Sequence, residues 1–213
     1  DGRPRILICG YYGEHNLGDD ALLSVLLNQL DDRWEPVITA RDRQAVESLA
    51  PGIETVDRRS LATVLKAVRQ VDALILGGGS LLQDSTSTRS LIYYILLIWC
   101  AKSLQKPVLL WGQGLGPLKR RFSRLLVRTS LKTISSVTWR DPSSMNQAME
   151  WKLDVPMKIG PDPVWAHSAP AWTSGQSLIL CWRPTPLLNI SGWHRLVNSL
   201  SRFSEMHHLN VIW

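Results

Sequence analysis

Short apolar segments alternate with longer amphipathic segments along most of this chain, and several of the apolar segments end in glycine. The clearest example covers residues 6–21, where an apolar run reaches Gly10, a polar loop follows, and Asp19 and Asp20 precede a helical pattern. Strand-length segments that alternate with helix-length segments are typical of α/β folds. The sequence therefore predicts a parallel, doubly wound sheet flanked by helices.

The alternation predicts three regions. A first domain covers residues 1–162, and a linker rich in proline, tryptophan and serine covers residues 163–176. Residues 177–213 begin a second α/β domain with a strand, a helix and another strand. So few residues cannot bury a core of their own. We therefore expect the chain to be a fragment in which the second domain is incomplete.

The bulk composition favours a cytoplasmic protein with acidic partners. The net charge is +6, which suits phosphate-bearing substrates, an anionic polymer or a membrane surface. The lysines and arginines are dispersed, so nucleic acid is not an expected partner. The three cysteines form no paired motif and indicate a reducing compartment. The longest apolar run, residues 91–101, is too short to span a membrane, so any membrane contact would be peripheral, at the inner face.

Four polar turns follow predicted strands and identify one candidate site. They cover residues 10–20, 77–84, 112–117 and 140–144 and are rich in glycine, aspartate or arginine. Right-handed crossovers bring such turns to one edge of a parallel sheet, where ligands bind. The glycine spacing in the first turn does not match the dinucleotide fingerprint. We therefore expect one crevice that does not bind a nicotinamide cofactor.

Several of these segments resemble motifs of the polysaccharide pyruvyl transferase family. Asn16, Gly18, Asp19 and Ala21 match a G-x-x-N-x-G-D-x-A pattern after the first strand. The other resembling segments follow in order along the chain: residues 74–84, 112–117, 139–144, 160–163 and 180–184. The resemblance is strongest to the subfamily that acts on cell-wall or surface polysaccharides.

The resemblance implies two facing Rossmann-like domains, as in GT-B glycosyltransferases, with the active site between them. The first domain would hold the acceptor, a glycan or lipid-linked glycan, and the second the donor. The implied reaction moves a pyruvyl group from phosphoenolpyruvate onto two hydroxyls of one sugar, forms a ketal and releases phosphate. Phosphoenolpyruvate is then a co-substrate, and no cofactor is expected.

The chemistry of this reaction selects candidate residues within the motifs. Ketal formation requires a general acid and a general base, and the candidates are His15, Asp19 and Asp84. Each has a structural alternative, namely a hydrogen bond within its own loop for His15 and helix or turn capping for the two aspartates. Arginine suits the carboxylate and phosphate of the donor, and the candidates are Arg183 and Arg140, with an ordinary ion pair as the alternative for each.

The remaining candidates would contact substrate through the backbone or through an amide. They are Gly13, Asn16, Gly18, Gly77, Gly78, Gly79, Gln113 and Gly114. The five histidines do not form a ligand set, so no metal site is expected. Two other functions remain open: a GT-B glycosyltransferase that uses a nucleotide-sugar, and a glycan-binding module without catalytic activity.

Overall fold

The computed structural model describes residues 2–168, 175–180 and 188–212, and the chain divides into two compact units, residues 1–168 and 169–213. The strands of the first unit are β1 (Arg5–Tyr12), β2 (Glu35–Ala40), β3 (Glu54–Asp57), β4 (Ala73–Leu76), β5 (Gly79–Leu82), β6 (Val108–Leu115), β7 (Ser136–Trp139) and β8 (Met157–Ile159). Its helices are α1 (Leu17–Gln29), α2 (Arg43–Leu49), α3 (Leu61–Gln70), α4 (Thr88–Ser103), α5 (Arg121–Leu131) and α6 (Pro142–Glu150).

The strands of the first unit form one parallel sheet in the order β3-β2-β1-β4-β6-β7-β8, with β5 also paired to β6. Leu7 in the centre of β1 lies opposite Val37 on one side and Leu74 on the other. This order, running outward in both directions from β1 and β4, is that of a Rossmann-like fold. The predicted α/β class and parallel sheet are confirmed.

Helices cover both faces of this sheet, as the alternation of side chains along β1 requires. Ile6 and Ile8 point to one face and pack with residues of α1 and α2. Leu7 and Cys9 point to the other face and join a larger core that includes residues of α3, α4, α5 and α6. Because side chains alternate along a strand, strands covered on both faces are apolar throughout.

The order of the strands creates a switch point at the carboxyl ends of the paired strands β1 and β4, from which the chain runs outward in both directions. The helix that follows β1 lies on one face, whereas α4, which follows β4 and β5, lies on the other. In open α/β sheets, ligands bind outside the carboxyl ends of the strands at such a switch point. The turns at residues 13–16 and 77–78 lie at this edge.

Local capping sets the start of α1 three residues before the predicted position. Asn16 is the N-cap, and its Oδ1 accepts a hydrogen bond from the backbone N–H of Gly18 at 3.0 Å. This satisfies one of the unpaired N–H groups of the first turn. The first turn of α1 therefore includes Asp19, which the sequence placed just before the helix.

The glycine-rich turn after β4 is shorter than predicted, because Gly79 begins the separate strand β5. Residues 163–166, which the sequence places in the linker, form a short 3₁₀ helix (Pro163–Ala166) in contact with α1. In the second unit, β9 (Ser177–Ile179) and β10 (Asn210–Ile212) pair in parallel, and α7 (Ile190–Met206) lies between them in the chain. No helix in the described ranges is both long enough and apolar enough to cross a bilayer.

Candidate functional site

Gln113 connects the carboxyl ends of three strands at the proposed crevice. Its backbone lies opposite Gly79 of β5 and Trp139 of β7. Its side chain is fully buried, and Nε2 donates hydrogen bonds to the carbonyls of Gly77 and Leu76, the latter at 3.4 Å. These hydrogen bonds hold the glycine turn in place. The side chain of Gln113, which the sequence predicts to contact ligand, therefore supports the turn in this structure.

Arg140 extends from the end of β7 across this edge and is held by two side chains. Nη1 lies 3.0 Å from Oδ2 of Asp162, and Nη2 donates to Oγ of Ser80 at 3.0 Å. A Cβ on Gly114 would lie 3.1 Å from Nε of Arg140 and 2.7 Å from Oγ of Ser80. Glycine at position 114 thus gives the guanidinium room to lie along the backbone of β6.

Asp19, in the first turn of α1, faces this group from the other side of the switch point. Its Oδ1 lies 3.4 Å from the position that a Cβ on Gly79 would occupy, and Gly79 has a φ of +104°, which few other residues adopt. Burial, together with the charge of Asp20, raises the pKa of Asp19 to about 6, although the charges of Arg58 and Arg140 oppose the shift. A carboxyl with this pKa exchanges a proton near neutral pH.

Asp84, the third predicted catalytic residue, lies beyond β5 and is engaged with the backbone. Its Oδ1 accepts from the N–H of Lys119 at 2.7 Å and its Oδ2 from the N–H of Arg120 at 2.9 Å. These hydrogen bonds, the one from Lys119 first, lower the pKa of Asp84. Asp84 therefore fixes the segment that leads into α5, whose N-cap residue makes no side-chain capping bond of its own.

His15 and Gly13 face a different cleft, beside β2 and β3. Nε2 of His15 lies 3.6 Å from Oδ2 of Asp42, and the imidazole is largely exposed. Gly13 has a φ of +67°, and a Cβ there would lie 2.5 Å from the carbonyl oxygen of Asp42. This open cleft of about 540 Å³ is also lined by Arg41 and Arg59. The structure thus places His15 in this cleft, whereas Asp19 interacts with the charge of Arg140.

The other two glycines of the 77–79 turn pack against side chains. A Cβ on Gly77 would lie 1.8 Å from the hydroxyl oxygen of Tyr12, and one on Gly78 would lie 3.0 Å from Leu22. The Tyr12 hydroxyl is buried and has no hydrogen-bond partner among the described residues. Close packing, rather than ligand contact, accounts for glycine at these two positions in this structure.

Sequence reasoning missed a buried ion pair beneath the first turn. The carboxylate of Glu14 binds Nη1 of Arg58, and its other oxygen lies 2.8 Å from Nη1 of Arg41. Glu14 and Arg58 are 8% and 10% exposed, and Nη2 of Arg58 donates to the hydroxyl of Tyr94 at 3.3 Å. Arg58 directly follows β3, so the strand-end rule that selected the other turns also applies to it.

Arg183, the other arginine predicted to bind the donor, lies outside the described residues. Within those residues, no group of three His, Cys, Asp or Glu side chains is placed to hold a metal ion. The structure therefore brings together Asp19, Gly79, Gln113, Gly114 and Arg140 and adds Ser80 and Asp162 to them.

The fold and this edge define a Rossmann-like α/β protein with a cluster of polar side chains at its switch point. The family model for polysaccharide pyruvyl transferase matches residues 16–196, and the chain belongs to that family. A search of curated proteins found no match. Among solved structures, BdcA (YjgI) from E. coli is 17% identical, with 75% of this chain and 99% of that chain covered and a TM-score of 0.44.

Proposed function

We propose that this protein transfers a pyruvyl group from phosphoenolpyruvate onto two hydroxyls of one sugar in a cell-wall or surface polysaccharide or its precursor. The observation that carries the proposal is the carboxyl of Asp19, whose pKa is raised to about 6 at an edge that also holds Arg140. Family membership supports the pyruvyl group and the polysaccharide acceptor. The donor and the ketal product are our assignment.

Asp19 is the proposed general acid. In its protonated form it would give a proton to the methylene carbon of phosphoenolpyruvate, which leaves a cation at the central carbon. One sugar hydroxyl then adds to that carbon, the bond to phosphate breaks, and the second hydroxyl adds in its place. One hydroxyl proton restores Asp19 and the other leaves with phosphate, so the reaction needs no oxidant or cofactor.

Arg140 is the proposed anion-binding group in this unit. Guanidinium groups bind carboxylates and phosphates through paired hydrogen bonds, and Asp162 and Ser80 already fix the plane of this one. A preoriented cation stabilises the charge that develops on a leaving phosphate without reorganisation during the reaction. Arg183 remains our other proposed donor-binding arginine. We give Asp84 a structural role, because both of its oxygens accept backbone hydrogen bonds.

The acceptor would be a glycan or a lipid-linked glycan, bound in the first unit of a GT-B-like, two-domain enzyme. The cleft that contains His15, Arg41 and Asp42 is the proposed acceptor side, because mixed carboxylates and guanidinium groups suit sugar hydroxyls. A lipid-linked acceptor would place the protein in the cytoplasm at the inner face of the membrane.

Phosphate release tests this function directly. The protein is incubated with lipid-linked or free glycan acceptors and either phosphoenolpyruvate or a UDP-sugar. Release of phosphate that requires both phosphoenolpyruvate and acceptor, with a pyruvyl ketal in the product, is the expected result. Turnover of the UDP-sugar would favour a glycosyltransferase, and glycan binding without turnover of either donor would favour a binding module; both results would overturn the proposal.

A further inference from the structure

Helix α5 and the residues around it are strongly cationic. Residues 119–132 contain six lysines and arginines and no aspartate or glutamate, and the cations are Lys119, Arg120, Arg121, Arg124, Arg128 and Lys132. The remaining lysines and arginines of the chain are more dispersed. This stretch is therefore the densest concentration of positive charge in the sequence.

The same helix exposes large apolar side chains between its cations. Val127 and Leu131 face the core, whereas Leu125, two residues before Val127, faces nearly the opposite way and is 62% exposed. Phe122, one turn earlier, is 61% exposed. The inner face of α5 packs against the core. Its outer face has a second apolar stripe, which is flanked by arginines.

The neighbouring helix α4 also exposes large apolar side chains. Helix α4 packs against α5 on the same side of the sheet, and its outer face exposes Ile92 and Trp99, which are 40% and 39% exposed. These residues are seven apart and so lie on one side of the helix. Arg89 and Lys102, near the two ends of α4, are also exposed. We name the outer faces of α4 and α5 together the α4–α5 face.

We propose that the α4–α5 face docks on an anionic lipid bilayer. A helix with Lys and Arg on its polar face and Phe, Leu or Trp on its apolar face lies in the interface of a membrane, and tryptophan is enriched there. Nucleic acid would satisfy the cations but leave Leu125 and Phe122 in water. A second copy of this face would bring like charges together.

The position of α5 connects this face to the candidate site. Helix α5 follows β6, so its N-terminal end lies at the carboxyl edge of the sheet, where Asp84 binds the N–H groups of Lys119 and Arg120. The same edge holds Gln113 and Arg140. A bilayer against this face would therefore lie beside the edge at which a lipid-linked acceptor has to enter. The link to a lipid-linked acceptor rests on the proposed function. Vesicle binding itself needs no substrate, so it is tested separately from pyruvyl transfer.

Vesicle flotation of the 213-residue protein tests the proposal. The vesicles contain phosphatidylcholine with or without phosphatidylglycerol. One variant combines Phe122→Ser with Leu125→Ser, and another combines Arg121→Gln with Arg128→Gln, since these arginines are exposed and have no polar partner among the described residues. Arg124 is left unchanged, because its Nε donates to the carbonyl of Leu118 at 2.8 Å.

Matched control variants remove exposed apolar side chains or exposed cations that lie outside the α4–α5 face. Ile159→Ser with Met206→Ser removes two exposed apolar side chains, and Lys158→Gln with Arg202→Gln removes two exposed cations. Circular dichroism verifies that every variant is folded.

We expect binding to vesicles that contain phosphatidylglycerol and much weaker binding to phosphatidylcholine alone. Each variant of the α4–α5 face should lower the partition coefficient roughly tenfold or more, because each lost cation or buried apolar group weakens membrane binding several-fold. The controls should change it less than roughly twofold. Equal loss in the controls, or no binding to anionic vesicles, would overturn the proposal. The proposal would also be overturned if the protein bound duplex DNA as tightly as vesicles and the Phe122 and Leu125 substitutions weakened neither interaction.

Discussion

Arg140 and Asp162, which follow the neighbouring strands β7 and β8, form an ion pair with 3.0 Å between Nη1 and Oδ2. Together with the hydrogen bond from Nη2 to Ser80, this pair fixes the guanidinium against Gly114. The cation is therefore positioned before any ligand arrives. On the other side of the switch point, Asp19 is the carboxyl whose proton the proposed reaction uses.

Substitution of Asp19 by asparagine tests its role as the acid. Asp19→Asn keeps the size of the side chain but removes the proton donor, so the rate of phosphate release should fall roughly 10²-fold or more. In the wild-type protein the rate should decline as pH rises through about 6, because the carboxyl then loses its proton. Steady-state rates measured across that pH range check both expectations.

Asp20→Asn is the matched control, since this neighbour is a carboxyl on the same turn of α1. A wild-type rate in Asp19→Asn, or the same loss in both variants, would remove Asp19 from the reaction.

The raised pKa of Asp19 also predicts a pH-dependent change in stability. Between its ordinary pKa of 3.8 and about 6, the unfolded chain loses this proton while the folded protein keeps it, so folding becomes less favourable as pH rises through that window. Because Asp19 is only partly buried, solvent screening limits the penalty above pH 6 to about 1 kcal/mol. Asp19→Asn should be more stable than wild type by this amount at pH 8 and equal to it near pH 3, as measured by urea unfolding.

Arg140→Lys should show whether donor binding depends on the shape of the guanidinium or only on its positive charge. Lysine keeps the positive charge but cannot contact Asp162 and Ser80 in one plane, so the KM for phosphoenolpyruvate should rise roughly tenfold. Arg121→Lys, at an exposed position on α5, is the control and should leave the KM unchanged. Equal KM values for wild type and Arg140→Lys would show that the guanidinium does not bind the donor.

Gly77→Ala tests the close packing of the glycine turn. The added methyl would lie 1.8 Å from the Tyr12 hydroxyl, so the substitution should lower the free energy of unfolding by about 3 kcal/mol. Tyr12→Phe alone should change it by less than about 1 kcal/mol, since this buried hydroxyl has no partner among the described residues.

The double variant Gly77→Ala with Tyr12→Phe should recover part of the loss, because the oxygen nearest the new methyl is gone. If it is as unstable as Gly77→Ala alone, the hydroxyl is not the limiting contact.

Glu14→Gln should be strongly destabilising, because it leaves Arg58 with an unpaired charge in a nearly buried position. Removal of one partner of a buried ion pair costs about 3–5 kcal/mol. Arg41→Gln removes the exposed partner of the same carboxylate and should be far less destabilising, because solvent screens that pair. Urea unfolding of both variants gives the comparison, and similar losses in the two would contradict the assignment.

The fold was predictable from the sequence because its signals are local. The apolar runs of β1, β4 and β6 are buried on both faces, and they end where glycines begin the turns. Capping by Asn16 was less visible, since the pattern of apolar residues alone placed the start of α1 at Asp20. Strand β5 was missed because Gly79 and Ser80 interrupt the apolar pattern, although β6 supplies the pairing.

The site was only partly predictable, because contacts between distant residues set its chemistry. The sequence identified Asp19 and Arg140 but not Ser80 or Asp162, which determine where the guanidinium lies. Nor could it reveal that the oxygens of Asp84 are occupied by backbone N–H groups 35 and 36 residues away. Strand-end position indicates which side chains reach an edge, whereas their partners depend on packing across strands.

The adjacency of β1 and β4 has an evolutionary consequence. Since the switch point at their carboxyl ends arises from the order in which the chain visits the sheet, it persists whatever side chains occupy the turns beside it. Substitutions at exposed positions of the turn at residues 13–16 can then change the chemistry at this edge while the buried strands stay the same. We accordingly expect members of this lineage to differ at these exposed positions first and to keep the packed glycines at positions 77 and 78.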